Sequence, residues 1–241
     1  MKSWFESWFN TSYYHILYKN GNDKEGQDFM DALCAKFSFQ PSQKILDLAC
    51  GKGRHAKYLN SLGLNVDGAD LSPESIEHAN RSANDTLHFF VHDMRNTLPK
   101  SYDVVLNMFT SFGYFENEKE NVQVLQSVKK ALTEKGLLII DFLNLAFVKQ
   151  HLVANETKSI EGIDFQISKK VTQTHILKDI RFTDKGNDYH FTEKVQALGF
   201  NHFEQLADQA GLVIKMAFGD YKLKPFIPQQ SERLILVLGH Q

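Results

Sequence analysis

The chain has no apolar run close to the roughly 18 residues that a membrane-spanning helix needs. Its first residues, Met1-Lys2-Ser3-Trp4-Phe5-Glu6, lack the basic-then-apolar pattern of a secretory leader. Cysteine is scarce. Cys34 and Cys50 alone cannot supply a disulfide framework, which points to a reduced, cytoplasmic setting. An excess of one charge is missing too. A formal net charge of −2 gives no broad electrostatic reason to bind a nucleic-acid backbone, so neither nucleic acid nor membrane is expected as a partner. There is no low-complexity linker and no internal repeat. What remains, 42% hydrophobic and 23% charged residues over 241 positions, suits one large globular domain or a core with an inserted subdomain.

Residues 1–40 are aromatic-rich and read as a helical cap. Phe29, Leu33 and Phe37 fall at i, i+4 and i+8 of a helix over Asp23 to Phe37. From Gln43 strand and helix alternate. Strands are predicted at 45–48, 65–69, 87–91, 103–107 and 137–142, with helices from about Arg54 to Leu62, from Pro73, and from Glu118 to Leu132. Ser72 reads as an N-cap, Pro73 as the first helical position and Gly63 as a C-cap. This pattern argues a parallel sheet with helices on both faces. After about Val153 the period drops to two. Residues 154–199 read as an antiparallel insert, and the core, begun at 41–153, resumes over 200–241 with a helix and an antiparallel pair of strands at one sheet edge.

The stretch Leu46-Asp47-Leu48-Ala49-Cys50-Gly51-Lys52-Gly53-Arg54-His55 predicts a buried strand, a small-residue loop and a helix N-terminus, a nucleotide-type site. Gly51-Lys52-Gly53-Arg54-His55-Ala56 also fits the dinucleotide pattern G-x-G-x-x-A, which leaves an NAD-dependent oxidoreductase open. Three strand-end carboxylates weigh against a diphosphate. Asp47 would crowd an anion and suits an ammonium or sulfonium. Asp70 is placed to accept from two ribose hydroxyls. Asp93 can take an adenine amino group while Met94 packs on the ring.

These residues resemble the motifs of class I S-adenosylmethionine-dependent methyltransferases. Leu46 to Gly53 is similar to the first motif, Asp67-Gly68-Ala69-Asp70-Leu71-Ser72 to the second, His92-Asp93-Met94-Arg95 to the third and Tyr102-Asp103-Val104-Val105-Leu106-Asn107 to the fourth. The likeness covers residues 41–142 well and the tail from 200 loosely; Ala49 stands where many members have glycine. The aromatic N-terminus and the insert further resemble small-molecule and glycine N-methyltransferase-like members. The resemblance implies a Rossmann-like seven-stranded, mostly parallel sheet with an antiparallel β insert after strand five. The implied cofactor is S-adenosyl-L-methionine and the implied partner a small-molecule methyl acceptor. Ala49, Gly51 and Gly53 would approach the methionine part, Asp47 would orient it, and Asp70 with Leu71, Asp93 with Met94, and Asn107 would complete the cofactor site. Action on protein or RNA is the runner-up; the lack of Pro-Pro-Tyr after Asn107 argues against amino methylation of DNA bases.

Tyr14, His15 and Tyr221 are candidate bases for a protonated acceptor. The cluster Tyr13-Tyr14-His15 reads either as core packing or as a lid. His55 is expected on a helix surface and Cys50 as a small loop residue. His88 and His92 are spaced four apart without a third ligand, so no metal is expected.

Overall fold

The computed structural model describes residues 4–18 and 23–241, without the side chain of Glu6. Expectations that touch residues 1–3 and 19–22 lie outside the described residues. Three helices come first: α1 (Trp4–Phe9), α2 (Ser12–Leu17) and α3 (Asp23–Phe37). Then follow β1 (Lys44–Leu48), α4 (Arg54–Ser61), β2 (Asn65–Asp70), α5 (Pro73–Asn80), β3 (Leu87–Val91), β4 (Tyr102–Asn107), α6 (Glu118–Ala131) and β5 (Leu132–Leu143). A short helix α7 (Leu145–His151) leads into β6 (Asn155–Ile160), β7 (Ile163–Val171), β8 (His175–Asp184) and β9 (Asn187–Gln196). The chain ends with α8 (Phe200–Ala210), β10 (Leu212–Phe218) and β11 (Arg233–His240).

β1 to β5 are parallel, in the order β5-β4-β1-β2-β3, and β11 then β10 extend the sheet antiparallel beyond β5. Ile45 to Leu48 and Leu234 to Gly239 are buried without alternation, because helices cover both faces. Local chemistry sets the helix ends as expected. Ser72 accepts from the Ser75 N–H at 3.1 Å ahead of Pro73, and Gly63 follows α4 at φ 87°.

Three features differ from expectation. β5 starts at Leu132, straight after α6, and not at residue 137. Leu132 is 6% exposed and pairs with Tyr102, Thr133 donates to Asp103, and the ladder then slips to Val104–Leu137, so Gly136 lies in a bulge inside the strand. α7 is an additional helix, capped by Asn144 on the Ala146 N–H at 3.2 Å. The N-terminal helices also do not act as one cap. α3 buries Phe29, Met30 and Leu33 in the core that holds Ala56 and Leu59 of α4. α1 and α2 instead place Trp8 and Leu17 against Phe165, Ile180 and Phe182 of the β6–β9 sheet, forming a third core.

Candidate functional site

A cavity of about 800 Å³ opens at the carboxyl ends of β1 and β2. Asp47, Asp70 and Asp93, from three neighbouring strand ends, all line it. The loop that follows β1 turns through left-handed backbone at Ala49 (φ 67°), Gly51 (φ 55°) and Gly53 (φ 77°). The Ala49 and Cys50 N–H groups both donate to the Ala69 carbonyl, at 2.7 and 3.0 Å, and lock the loop to β2. Asp70 braces the other side: its carboxylate accepts from the Gly51 N–H and the Ser72 N–H, each at 2.8 Å. A Cβ at Gly51 would meet no atom within 4 Å, so that residue opens onto free space. Gly53 does different work. A Cβ there would stand 2.5 Å from the Phe89 ring, so Gly53 permits packing and does not line the cavity.

Asp47 is 2% exposed and accepts from the Ala56 N–H of α4 at 3.2 Å. Burial pushes its carboxyl up to about 7, and Asp70 nearby adds to the rise. Burial raises Asp70 as well. Asp93 moves the other way. Arg95 grips its carboxylate through Nε and Nη2 at 2.6–3.2 Å and holds it below the usual range. Arg95 in turn reaches Glu120 at 2.5 Å and lies over the Phe115 ring, so Asp93 is held in a fixed orientation. Leu71 and Met94 line the cavity beside these carboxylates.

Asn107 does not line the cavity. Its amide donates to the Leu48 carbonyl at 3.1 Å and ties the end of β1 to the loop after β4. The loop residues Met108 to Ser111 reach the cavity in its place. Phe109 and Thr110 are both left-handed, at φ 55° and 61°, a costly conformation for side-chain-bearing residues. Asp141, fully buried in β5, holds them: its carboxylate accepts from the Phe109 N–H at 2.9 Å and its carbonyl from the Thr110 N–H at 2.9 Å. Arg233 completes this anchor, donating to Asp141 at 2.8 Å and to Thr110 Oγ1 at 3.0 Å while lining the cavity.

Of the candidate bases, Tyr221 is corrected. It does not line the cavity; its hydroxyl donates to Asp141 at 3.3 Å and its ring packs on Phe29 and Phe109. Tyr14 and His15 do line it, from α2, while Tyr13 packs on Phe182 and Tyr189 of the insert. Burial raises Tyr14 to about 12, so at neutral pH its phenol stays protonated and can donate. Burial lowers His15. His55 is also corrected: it is packed and not on the surface. Its ring stacks on Phe109 at 4.6 Å and 8°, its Nε2 is buried without a partner, and it lines the cavity. Burial drops its pKa to about 3. Gly26 of α3 makes the room, since a Cβ there would stand 2.8 Å from the imidazole. Cys50 lines the cavity, and burial pushes its thiol up, which disfavours the thiolate form. Among the described residues no group of three metal-ligating side chains occurs, and no helix is long and apolar enough to cross a membrane.

Comparison with known proteins meets this geometry. A model described as "Methyltransferase domain" matches residues 45–136. YqeM of Bacillus subtilis (strain 168), named as a methyltransferase, is 31% identical over 203 residues, spanning 79% of this chain and 81% of its own length. A dTDP-3-amino-3,4,6-trideoxy-alpha-D-glucopyranose N,N-dimethyltransferase of Streptomyces venezuelae is 29% identical over 102 residues, 42% of either chain. The crystal structure of a S-adenosylmethionine-dependent methyltransferase from Clostridium acetobutylicum ATCC 824 superposes with a TM-score of 0.79 at 18% identity, over 95% of this chain and 96% of that one. By the 31% identity to YqeM over most of both chains, together with the matching methyltransferase domain, the chain belongs to the class I S-adenosylmethionine-dependent methyltransferases.

Proposed function

We propose that this enzyme moves the methyl group of S-adenosylmethionine to a small-molecule acceptor. The observation that carries this reading is the wall around the cavity. Phe9, Tyr14 and Tyr18 from the first two helical segments, with Ile176, Lys178 and Val195 from the insert, line the same space as the acidic strand tips. A polymer needs an open groove; a compact acceptor fits about 800 Å³ shared with a nucleoside. The Streptomyces venezuelae relative, by its name a sugar N,N-dimethyltransferase, supports the same reading.

The residues present fit the cofactor. The open backbone at Gly51, with Ala49 lining the same space, leaves room for the methionine part, and buried Asp47 would face its ammonium. Asp70, already held by two backbone N–H groups, keeps acceptor capacity for ribose hydroxyls. Asp93, oriented by Arg95, would take the adenine amino group beside Leu71 and Met94. Bound there, S-adenosylmethionine supplies an electrophilic methyl on a positively charged sulfur. The chain's own part is to hold the acceptor about 3–3.5 Å from that methyl and to exclude water. In this reading His15, whose pKa burial lowers, would take a proton from an acceptor, and Tyr14 would donate a hydrogen bond.

Incubation of the enzyme with methyl-labelled S-adenosylmethionine and a cell extract tests this. After ultrafiltration and removal of unreacted S-adenosylmethionine, transferred label is expected in a new small molecule that a control without enzyme lacks. Transferred label found solely on protein or RNA would sink the reading.

A further inference from the structure

The inner face of the insert is apolar where α1 and α2 cover it. Ile163, Phe165 and Ile167 on β7 and Ile180 and Phe182 on β8 share a core with Trp8 and Leu17, and Phe191 of β9 packs against it. In the ladder Ile167 stands across from Ile180, and Ile180 from Phe191. One row further along, the same face turns charged: Lys169 is the direct partner of Lys178, and Lys178 of Glu193. The row after that, Val171, Ile176 and Val195, is apolar again. Lys169, Lys178 and Glu193 all line the cavity.

Sheet stability does not account for this row. Like charges directly opposite each other destabilise an antiparallel pair, and the Lys178 and Glu193 side chains are each only 16% exposed. The pairing is also lopsided. Glu156 serves Lys169 at 2.5 Å and Lys158 at 3.9 Å. Glu193 is engaged by the N-terminal helices: its Oε1 accepts from Trp8 Nε1 at 2.8 Å and from the Tyr18 hydroxyl at 2.5 Å, while Lys178 lies 3.5 Å from Oε2, donates to the Tyr18 hydroxyl and sits over the Tyr18 ring at 4.5 Å, so that its nearest hydrogen-bond partner is neutral. Among the described residues three lysines, one of them the half-exposed Lys158, face two glutamates, an excess of one positive charge. Burial, with Lys169 and Lys158 nearby, lowers the pKa of Lys178, as an ammonium short of anions requires. Tyr114 lines the same cavity.

We infer that the row Lys169–Lys178 is the acceptor's recognition site, and that it takes an anionic group, carboxylate or phosphate, carried by the methyl acceptor. This rests on the small-molecule reading above. Lys178 supplies the charge at the centre, Lys169 the second donor, and Glu193 with Tyr18 and Trp8 fixes the row against the N-terminal helices. The acceptor's reactive atom is then left to face the strand tips.

Both tryptophans of the chain, Trp4 and Trp8, lie at this end, so intrinsic fluorescence reports on it. The enzyme saturated with S-adenosylhomocysteine is titrated with malonate and, separately, with inorganic phosphate, against chloride at matched ionic strength. A saturable change is expected with at least one of them, weakened about tenfold or more in Lys178→Met and retained in Lys178→Arg. Lys169→Met provides a second variant should Lys178→Met fail to fold, and it too is expected to weaken the response. A response to malonate alone assigns a carboxylate, to phosphate alone a phosphate ester, and to both a site open to either. No saturable change in the native enzyme, or an unchanged one in the methionine variants, overturns the inference. Failure of the small-molecule reading shows separately, as label on macromolecules while the anion response stays intact.

Discussion

The two ends of the cavity are built on different terms. At the cofactor end, the shape comes from backbone: a left-handed loop, strand ends in fixed register, and carboxylates that accept from N–H groups of the same few residues. At the end under the insert, the shape comes from side chains of α1, α2, β8 and β9, most of which pack on each other, with Phe5 and Val195 reaching the core of the main sheet. Backbone geometry is set by short-range rules and tolerates little change. A wall of side chains can be altered residue by residue while its scaffold persists. The difference explains how one fold serves many acceptors with one cofactor.

That contrast can be broken first at the anchor beneath the loop after β4. Arg233→Met leaves Asp141 charged and fully buried, and the expected loss is about 3–5 kcal/mol in denaturant unfolding. A loss near zero would mean that the loop does not depend on this pair. A smaller effect is expected at the strand tip. Asp70→Asn should weaken S-adenosylhomocysteine by about 1–3 kcal/mol in calorimetry, while the malonate or phosphate response of the insert stays within about twofold. Equal damage at both ends would erase the distinction between them. The mildest test is pH. The Asp47 carboxyl sits near 7 because burial favours its neutral form. A cationic ligand needs the ionised form, so affinity should rise as pH climbs through 7, by about tenfold from pH 6 to 8, and level off above. In the protein without ligand the sign reverses: the folded state holds a proton that the unfolded state releases, and stability falls as pH rises from the unfolded carboxylate range to about 7. Asp47→Asn should flatten both profiles.

Much of the cofactor end was legible in the residues themselves. Asp47, Asp70 and Asp93 each follow an apolar strand, and parallel strands in register deliver their ends to one edge, so spacing alone predicts their meeting. The helix caps and the glycine turn follow local rules as well. What escaped depends on distance along the chain. His55 looks like a surface residue beside Arg54 and Lys57; only the approach of Gly26, on another helix, shows it to be enclosed. Tyr221 and Arg233 meet Asp141 across 80 and 92 positions. A signal for Asp141 was present all the same: a carboxylate inside Leu137-Leu138-Ile139-Ile140-Asp141-Phe142 must find a partner in the interior. The lysine row was hidden for another reason. Alternation places Lys169 and Lys178 on the inward face, yet only the strand register sets them opposite each other. The division of the N-terminal helices between two cores depends on packing that no periodicity encodes.

Trp8 and Leu17 share their core with the insert alone among the sheets. Recombination or design could therefore exchange α1, α2 and β6–β9 as one cassette between homologous enzymes, provided that both halves travel together. A graft of the strands without their helical partner would strand Phe165 and Phe182 in water and invite aggregation, whatever the fate of the methyl-donor pocket.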